Sequence, residues 1–346
     1  YIIVSLGWIM MTVTGMLPFI LTNSMIDISS TFFETMSGYT ATGATILSEI
    51  ESLPSGILFW RSMTHWIGGM GIIVLAVAVL PLLGIGGIQL FSAEAPGPNN
   101  DKLHPRITDT AKRLWFIYVS FTILEAILLS FAGMSIFDAV NHAMSTMASG
   151  GFSTKNNSLA FWNHLPLVQY IIILFMFLAG SNFVLSYFAL TGKINKVIKD
   201  DEFKTFLSLV IIFSLTVFII IYTSVDLNNT YFDNSQIFGK LEGSIRHSFF
   251  QVLAIITTTG FVTADYTAWT PFLTILFFGF MFLGGSAGST SGGIKVVRHL
   301  LMIKGGILEF KRSLHPNAII QPRYNGKVVN QEIIAVSYTH LRAHET

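Results

Sequence analysis

Long stretches of this chain carry no charged side chain at all, among them 1–26, 66–93, 165–192 and 205–225. Each exceeds the ~18 apolar residues that suffice for a membrane-crossing helix. Only 11% of all residues are charged, against roughly 25% in soluble domains. A polytopic membrane protein follows, and a water-soluble enzyme with a large core is excluded. Cysteine is absent, which removes disulfides and thiolate metal sites.

Six apolar spans are predicted, at 1–21, 57–90, 114–132, 166–190, 206–223 and from 271 through the glycine-rich stretch that follows. The connections alternate in charge. Lys and Arg concentrate in 91–113, 191–204 and 295–327, fifteen in all; the intervening connections hold only Arg61, Lys155, Lys240 and Arg246. The positive-inside rule assigns the first set to the cytoplasm. Lys102, Lys196 and Lys311 are therefore expected inside, and Asn156 and Asn229 outside. Nine acids lie on the outer side: Asp27, Glu34, Glu49, Glu51, Asp138, Asp226, Asp233, Glu242 and Asp265. They either form a vestibule that concentrates cations or simply reflect the scarcity of positive charge there.

Every outer connection contains one kind of phrase: "ETMSGYTATGATI" from Glu34, "HAMSTMASGGFST" from His142 and "QVLAIITTTGFVT" from Gln251. Aligned on Gly43, Gly151 and Gly260, they recur at spacings of 108 and 109 residues, a signature of internal repetition. In each, an apolar stretch too short to span a bilayer precedes small and hydroxyl residues and then glycine. The predicted unit is span, re-entrant helix, turn, span. All units start on the cytoplasmic side, so they are parallel. Non-helical backbone at membrane depth is tolerated where it lines a wet cavity or is buried in protein. A ring of such turns can offer carbonyl oxygens in place of an alkali cation's hydration shell. The C-terminal dipole ends of the re-entrant helices favour a cation at the same place.

These phrases, with "FWRSMTHWIGGMGIIVLAVAVLPLLGIGG", "FSAEAPGP" and "GGSAGSTSGGIK", resemble the membrane subunit of the Trk/Ktr/HKT potassium transporters, most closely the TrkH type. The resemblance runs over roughly 1–336. It implies an all-α polytopic membrane protein of the bacterial inner membrane, with four span–pore helix–span units around a pseudo-fourfold pore. It implies potassium as the transported ion, no organic cofactor and no nucleic-acid partner. A homodimer and cytoplasmic TrkA-type nucleotide-binding regulatory subunits are implied as well. Carried over by position, the selectivity filter is Ala41, Thr42 and Gly43; Ser149, Gly150 and Gly151; and Thr258, Thr259 and Gly260. Family members with serine at the place of Gly43 tend to be read as sodium-passing, so glycine in all three turns fits potassium.

On this scheme residues 1–90 form repeat 1, 110–192 repeat 2 and 203–306 repeat 3. Residues 307–336 form a cytoplasmic linker towards a fourth repeat, whose glycine is due near 369. The chain is therefore expected to be truncated at both ends. The polar ending "SYTHLRAHET", 337–346, is read as a non-native read-through tail.

Within the last span lies "FLGGSAGSTSGGIK". Gly284, Gly285, Gly288, Gly292 and Gly293 together cost a helix about 5 kcal/mol relative to alanine. Ser286, Ser289, Thr290 and Ser291 compete for backbone hydrogen bonds, and Ala287 completes the stretch. An unwound intramembrane gate loop at 284–293, cytoplasmic to the filter, is expected. Lys295 either orients the loop, repels cations, or snorkels to the cytoplasm, the last being the default for a lysine near a helix end. The loop lacks the Gly-Lys-Ser/Thr ending of a phosphate-binding loop.

Glu125 is the one acid inside a span, a functional suspect by default, with helix packing as the plainer role. His65, His142, His164 and His247 show no metal-ligand spacing. The rival function is a cation-coupled solute symporter with broken helices, a class that commonly shows inverted repeats; the parallel units here argue against it. No acid/base constellation for an enzyme is evident.

Overall fold

The computed structural model describes residues 2–25, 27–71, 107–227, 238–314 and 323–328. Lys102, Asn229 and Asp233, the far part of the 57–90 span, most of the 307–336 linker and the 337–346 tail lie outside the described residues.

The fold is helical, and three stretches of it correspond in position to the expected units. In the first, α1 (Ile2–Gly15) and α2 (Leu17–Leu21) lead to a short helix α3 (Ile28–Tyr39), and the chain returns through α4 (Ser55–Trp66). In the second, α5 (Ile107–Phe131) precedes the short α6 (Ile136–Met147), followed by α7 (Pro166–Gly180) and α8 (Phe183–Leu190). After α9 (Ile194–Lys199), the third comprises α10 (Asp201–Ser224), the short α11 (Lys240–Ile256), α12 (Pro271–Phe280) and α13 (Val296–Leu314). A small hairpin closes the described chain, β1 (Arg323–Tyr324) pairing antiparallel with β2 (Lys327–Val328).

Among the described residues, Lys112–Phe131 and Asp201–Ser224 are long and apolar enough to cross a membrane unaided. Pro271–Phe280 and Ser5–Leu21 are shorter apolar helices. The short helices are the most enclosed elements. Every residue of α6 from Asn141 to its end is buried, as is nearly all of α11 after Lys240, Leu241 and Glu242. Large apolar side chains on α5, α10 and α12, such as Phe116, Ile212 and Phe278, are instead exposed, as lipid-facing residues would be.

One expectation is corrected. Residues 166–190 do not form one straight span: α7 and α8 meet at a bend of 110°. Ser181 is extended (φ −90°, ψ 162°), and Asn182 caps α8 by accepting from the Val184 N–H at 2.8 Å. Gly180, Ser181 and Asn182 are each poor helix-interior residues, and the break exposes carbonyls that the glycine-rich loop then uses.

Candidate ion pathway: three turns and a loop

Each short helix ends in the same way. The C-cap residues Thr40, Ala148 and Thr257 have nearly identical backbones, φ −77°, −79° and −81° with ψ 0°, −9° and 1°. The next residue is left-handed in every case: Ala41 at φ 50°, Ser149 at 56° and Thr258 at 55°. Two residues on, Gly43, Gly151 and Gly260 are left-handed again, at φ 74°, 83° and 77°. The first two turns are Schellman motifs. Thr42 N–H donates to Ser37 O and Ala41 N–H to Gly38 O, and Gly150 and Ser149 repeat the pattern onto Ser145 and Thr146. In the third, Thr258 N–H donates to Ile255 O, while Gly260 rather than Thr259 reaches Ala254 O, so this turn is one residue wider.

Left-handed backbone is uncommon outside glycine and an outlier for a β-branched residue. Thr258 therefore holds strain that the surrounding packing must offset. Among the described residues, no protein donor reaches the backbone carbonyls of Ala41, Thr42, Gly43, Ser149, Gly150, Gly151, Thr258, Thr259 or Gly260. Ser149, Gly150 and Thr259 are buried, while the other six are partly or fully exposed; buried carbonyls are nearly always paired, so these turns leave their carbonyls to water or to a ligand from outside the protein.

The turns abut in order. A Cβ on Gly43 would overlap the Gly150 carbonyl oxygen, and one on Gly151 would overlap the Thr259 carbonyl oxygen. A Cβ on Gly260 would meet nothing within 4 Å. All nine sequence-predicted filter residues thus fall in one run of turns.

Polar braces that the sequence reading passed over hold each turn to its own helix. Glu34 accepts from Thr45 Oγ1 at 2.9 Å, and His142 Nε2 meets Ser153 Oγ, 108 residues on for both partners, at 2.9 Å. Asp138 accepts from Thr154 Oγ1 at 2.6 Å, and His247 Nδ1 meets Thr263 Oγ1, 109 residues on for both, at 2.8 Å. His142 and His247 are thus structural, while exposed His164 packs edge-on to Phe161. His65 stacks on Phe152 at 3.9 Å and meets Ser145 Oγ. Among the described residues no group of three His, Asp or Glu could hold a metal ion.

Several outer acids are committed inside the fold rather than to an open vestibule. Glu34 pairs with fully buried Arg61 at 2.9 Å. Arg61 also donates to Ser153 O and lies 4.0 Å over the Phe152 ring, tying α4 to the chain that follows α6. Glu242 pairs with Arg246 at 2.8 Å, and Arg246 in turn donates to Gln169 Oε1, tying α11 to α7. Breaking a buried pair from one side costs about 3–5 kcal/mol. Glu34→Ala is accordingly expected to lower the thermal unfolding midpoint in detergent sharply. The double change Glu34→Gln with Arg61→Met should recover much of that loss.

The glycine-rich loop is unwound, as expected. A parallel bridge joins Leu283 to Ile294 at its neck, and Gly284 N–H donates to Ile294 O at 2.9 Å. Its body fits into the bend between α7 and α8: Ser286 N–H donates to Gly180 O, Thr290 N–H to Ala179 O, and Phe183 N–H to Gly288 O. Gly285 could carry no side chain there, since a Cβ would crowd Ser291 Oγ and Gly180 O. The tip reaches two of the turns. Thr290 Oγ1 lies 3.0 Å from Ser149 Oγ and donates to Met147 O at 2.9 Å; Gly292 N–H donates to Thr258 Oγ1 at 2.7 Å. Ser289 closes the loop internally, onto Ser286 O at 2.6 Å and Ser291 Oγ at 2.8 Å.

Lys295 does not snorkel. Its ammonium turns back onto the carbonyls of Ser289 and Ser291. Carbonyls inside the loop are a closer partner than water across an apolar surface, so the side chain orients the loop. Glu125 is fully buried on α5, with the Thr146 side chain the polar group facing its carboxylate.

The fold and these turns define a class: a polytopic helical membrane protein whose short helices end on backbone turns with free carbonyls. The family model of TrkH, a cation transport protein, matches residues 1–339, and the chain belongs to that family. It is 44% identical over 337 residues to the Trk system potassium uptake protein TrkH of Escherichia coli K12, covering 96% of this chain and 67% of that protein. The corresponding protein of Salmonella typhimurium LT2 is 43% identical over 337 residues, with the same coverage. The crystal structure of the potassium transporter TrkH from Vibrio parahaemolyticus matches with a TM-score of 0.83 and 36% identity, over 99% of this chain and 69% of that one. The family is one of transporters and not of enzymes.

Proposed function

We propose that this protein takes up potassium across the bacterial inner membrane through a filter made by the three turns, gated by the 284–293 loop. The observation that carries it is the set of nine carbonyls without a protein donor among the described residues, on three turns with matching left-handed positions. Rings of carbonyls substitute for the water that an alkali cation sheds. The relatives above, named for potassium uptake, supply the ion's identity.

The loop meets the first residues of turns 2 and 3, Ser149 and Thr258, next to the short helices' C-termini. Because the chain climbs back outward from there, this is the cytoplasmic end of the filter, where a loop across the path blocks it. In the cell the protein works as a homodimer with TrkA-type nucleotide-binding subunits at its cytoplasmic face. The name "Trk system" in its bacterial relatives supports a multicomponent assembly.

Ion-selective recording of flux from liposomes containing the transporter tests this function. Potassium is expected to pass at least about tenfold faster than sodium, a discrimination of ~1.4 kcal/mol. Equal fluxes of the two ions, or uptake of an organic solute with no alkali-ion selectivity, would reject it.

A further inference from the structure

The hairpin at 323–328 owes its shape to the pair Asn325-Gly326. Both residues are left-handed, at φ 49° and 76°, between strands in which Tyr324 pairs with Lys327. That is the type I′ turn for which Asn-Gly is the strongest short signal. An isolated two-stranded hairpin is marginally stable in water, so this one depends on what it docks against.

Its dock is the start of α10. Asp200 caps that helix with one oxygen, accepting from Phe203 N–H, and accepts from Asn325 Nδ2 with the other at 2.7 Å. Asp201 N–H donates to Asn325 Oδ1 at 2.7 Å, and Asn325 N–H donates to the Asp201 carboxylate at 3.1 Å. Lys304 bridges the same carboxylate, at 2.8 Å, to the Arg323 carbonyl, at 3.1 Å.

The next acid joins this dock to the gate. Glu202 is 3% exposed. One of its oxygens accepts from the Ala287 N–H at 2.6 Å, in the middle of the glycine-rich loop; the other accepts from the Tyr324 hydroxyl at 3.4 Å. The Tyr324 ring packs with Val297 and Leu301, just past the loop, and Ala287 rests against the same cluster. A single buried carboxylate therefore grips the loop with one oxygen and the hairpin with the other.

We infer that the 323–328 hairpin is a cytoplasmic latch: docked on α10, it holds Glu202 and the Val297–Leu301 surface in the arrangement that keeps the loop across the path. Undocking it removes Tyr324 from both and frees the loop to move. This rests on the reading of the loop as the gate, and it adds the element through which a cytoplasmic event would reach that gate.

The test is potassium flux through the reconstituted transporter. Asn325→Gly keeps the left-handed turn but deletes the side-chain bonds to Asp200 and Asp201; it should raise basal flux about tenfold, in keeping with the loss of bonds to charged groups. The potassium-to-sodium ratio should not change. Tyr324→Phe should give a smaller rise in the same direction. The chain has no cysteine of its own, so Leu301→Cys with Tyr324→Cys can be bridged by a reducible bifunctional thiol reagent. Bridging should suppress flux, and reduction should restore it. If the first two variants conduct like the parent and bridging leaves the flux of the cysteine pair unchanged, the latch is wrong. If deletion of residues 287–291 nevertheless raises flux in the same assay, the gate stands and only the latch falls. If that deletion is also silent, the gate reading falls as well. Should Asn325→Gly fail to fold, Tyr324→Phe and the bridged pair decide the matter.

Discussion

Gly43→Ser is expected to reduce the potassium-to-sodium flux ratio about tenfold or more, the effect of ~1.4 kcal/mol of lost discrimination. Two strains act at that position. The backbone is left-handed, at φ 74°, which a side chain tolerates poorly. In addition, any Cβ runs into the Gly150 carbonyl oxygen, an atom on rigid backbone that belongs to the next turn. The change therefore displaces two groups of carbonyls. A ring whose oxygens no longer converge replaces potassium's hydration shell less well and loses its preference over sodium. Gly151→Ala should act similarly through Thr259. Gly260→Ala meets no such neighbour among the described residues and should be milder, with only the cost of its φ of 77°. The check is flux in potassium and in sodium for each variant. An unchanged ratio in Gly43→Ser would remove that residue from the filter.

Deleting residues 287–291 should produce the other large effect, a rise of about tenfold or more in unregulated potassium flux. The deletion removes Thr290, whose hydroxyl and N–H hold the loop to Met147, Ala179 and Ser149. It also removes the Ala287 N–H that Glu202 holds. The loop has few apolar contacts and is held largely by hydrogen bonds of ~0.5–1.5 kcal/mol each, so the loss of several should shift a closed state decisively. Thr290→Val deletes only the hydroxyl bonds and should move flux the same way by less. Flux at the parent's level in both variants, with folded protein, would make the loop a packing feature.

The parts of the fold legible in the sequence were those set by periodic composition. The apolar run at 114–132 marked α5, the charge-free run at 205–225 marked α10, and the recurrence at 108 and 109 residues marked the three turns. Five glycines announced the unwound loop. What was not legible depended on partners far away in the chain. The bend after Gly180 lies inside a run whose hydropathy reads as one span; its broken backbone is satisfied by the loop more than 100 residues later. Even so, Gly-Ser-Asn within an apolar run was an available sign of a break. Ala41, Ser149 and Thr258 have side chains that ordinarily avoid the conformation they adopt, so no propensity argument could find them. The braces could have been found by carrying the repeat offset through to Thr45 and Ser153. Asn325-Gly326 is a turn signal legible in the sequence itself. Lys295 misled because the snorkelling rule assumes that water is the nearest polar partner, and here the loop's own carbonyls are nearer.

The contact of Gly43 with one neighbouring turn, and of Gly151 with the next, bears on how such a protein can change over generations. Three similar units that were free to diverge once copied would each mend their own defects. Here the atom that a new side chain strikes belongs to a different unit. A bulkier residue in one copy can be accommodated only by a change in the copy beside it. The units are thereby obliged to drift in concert at these positions, while the helices around them, facing lipid, are free to wander separately.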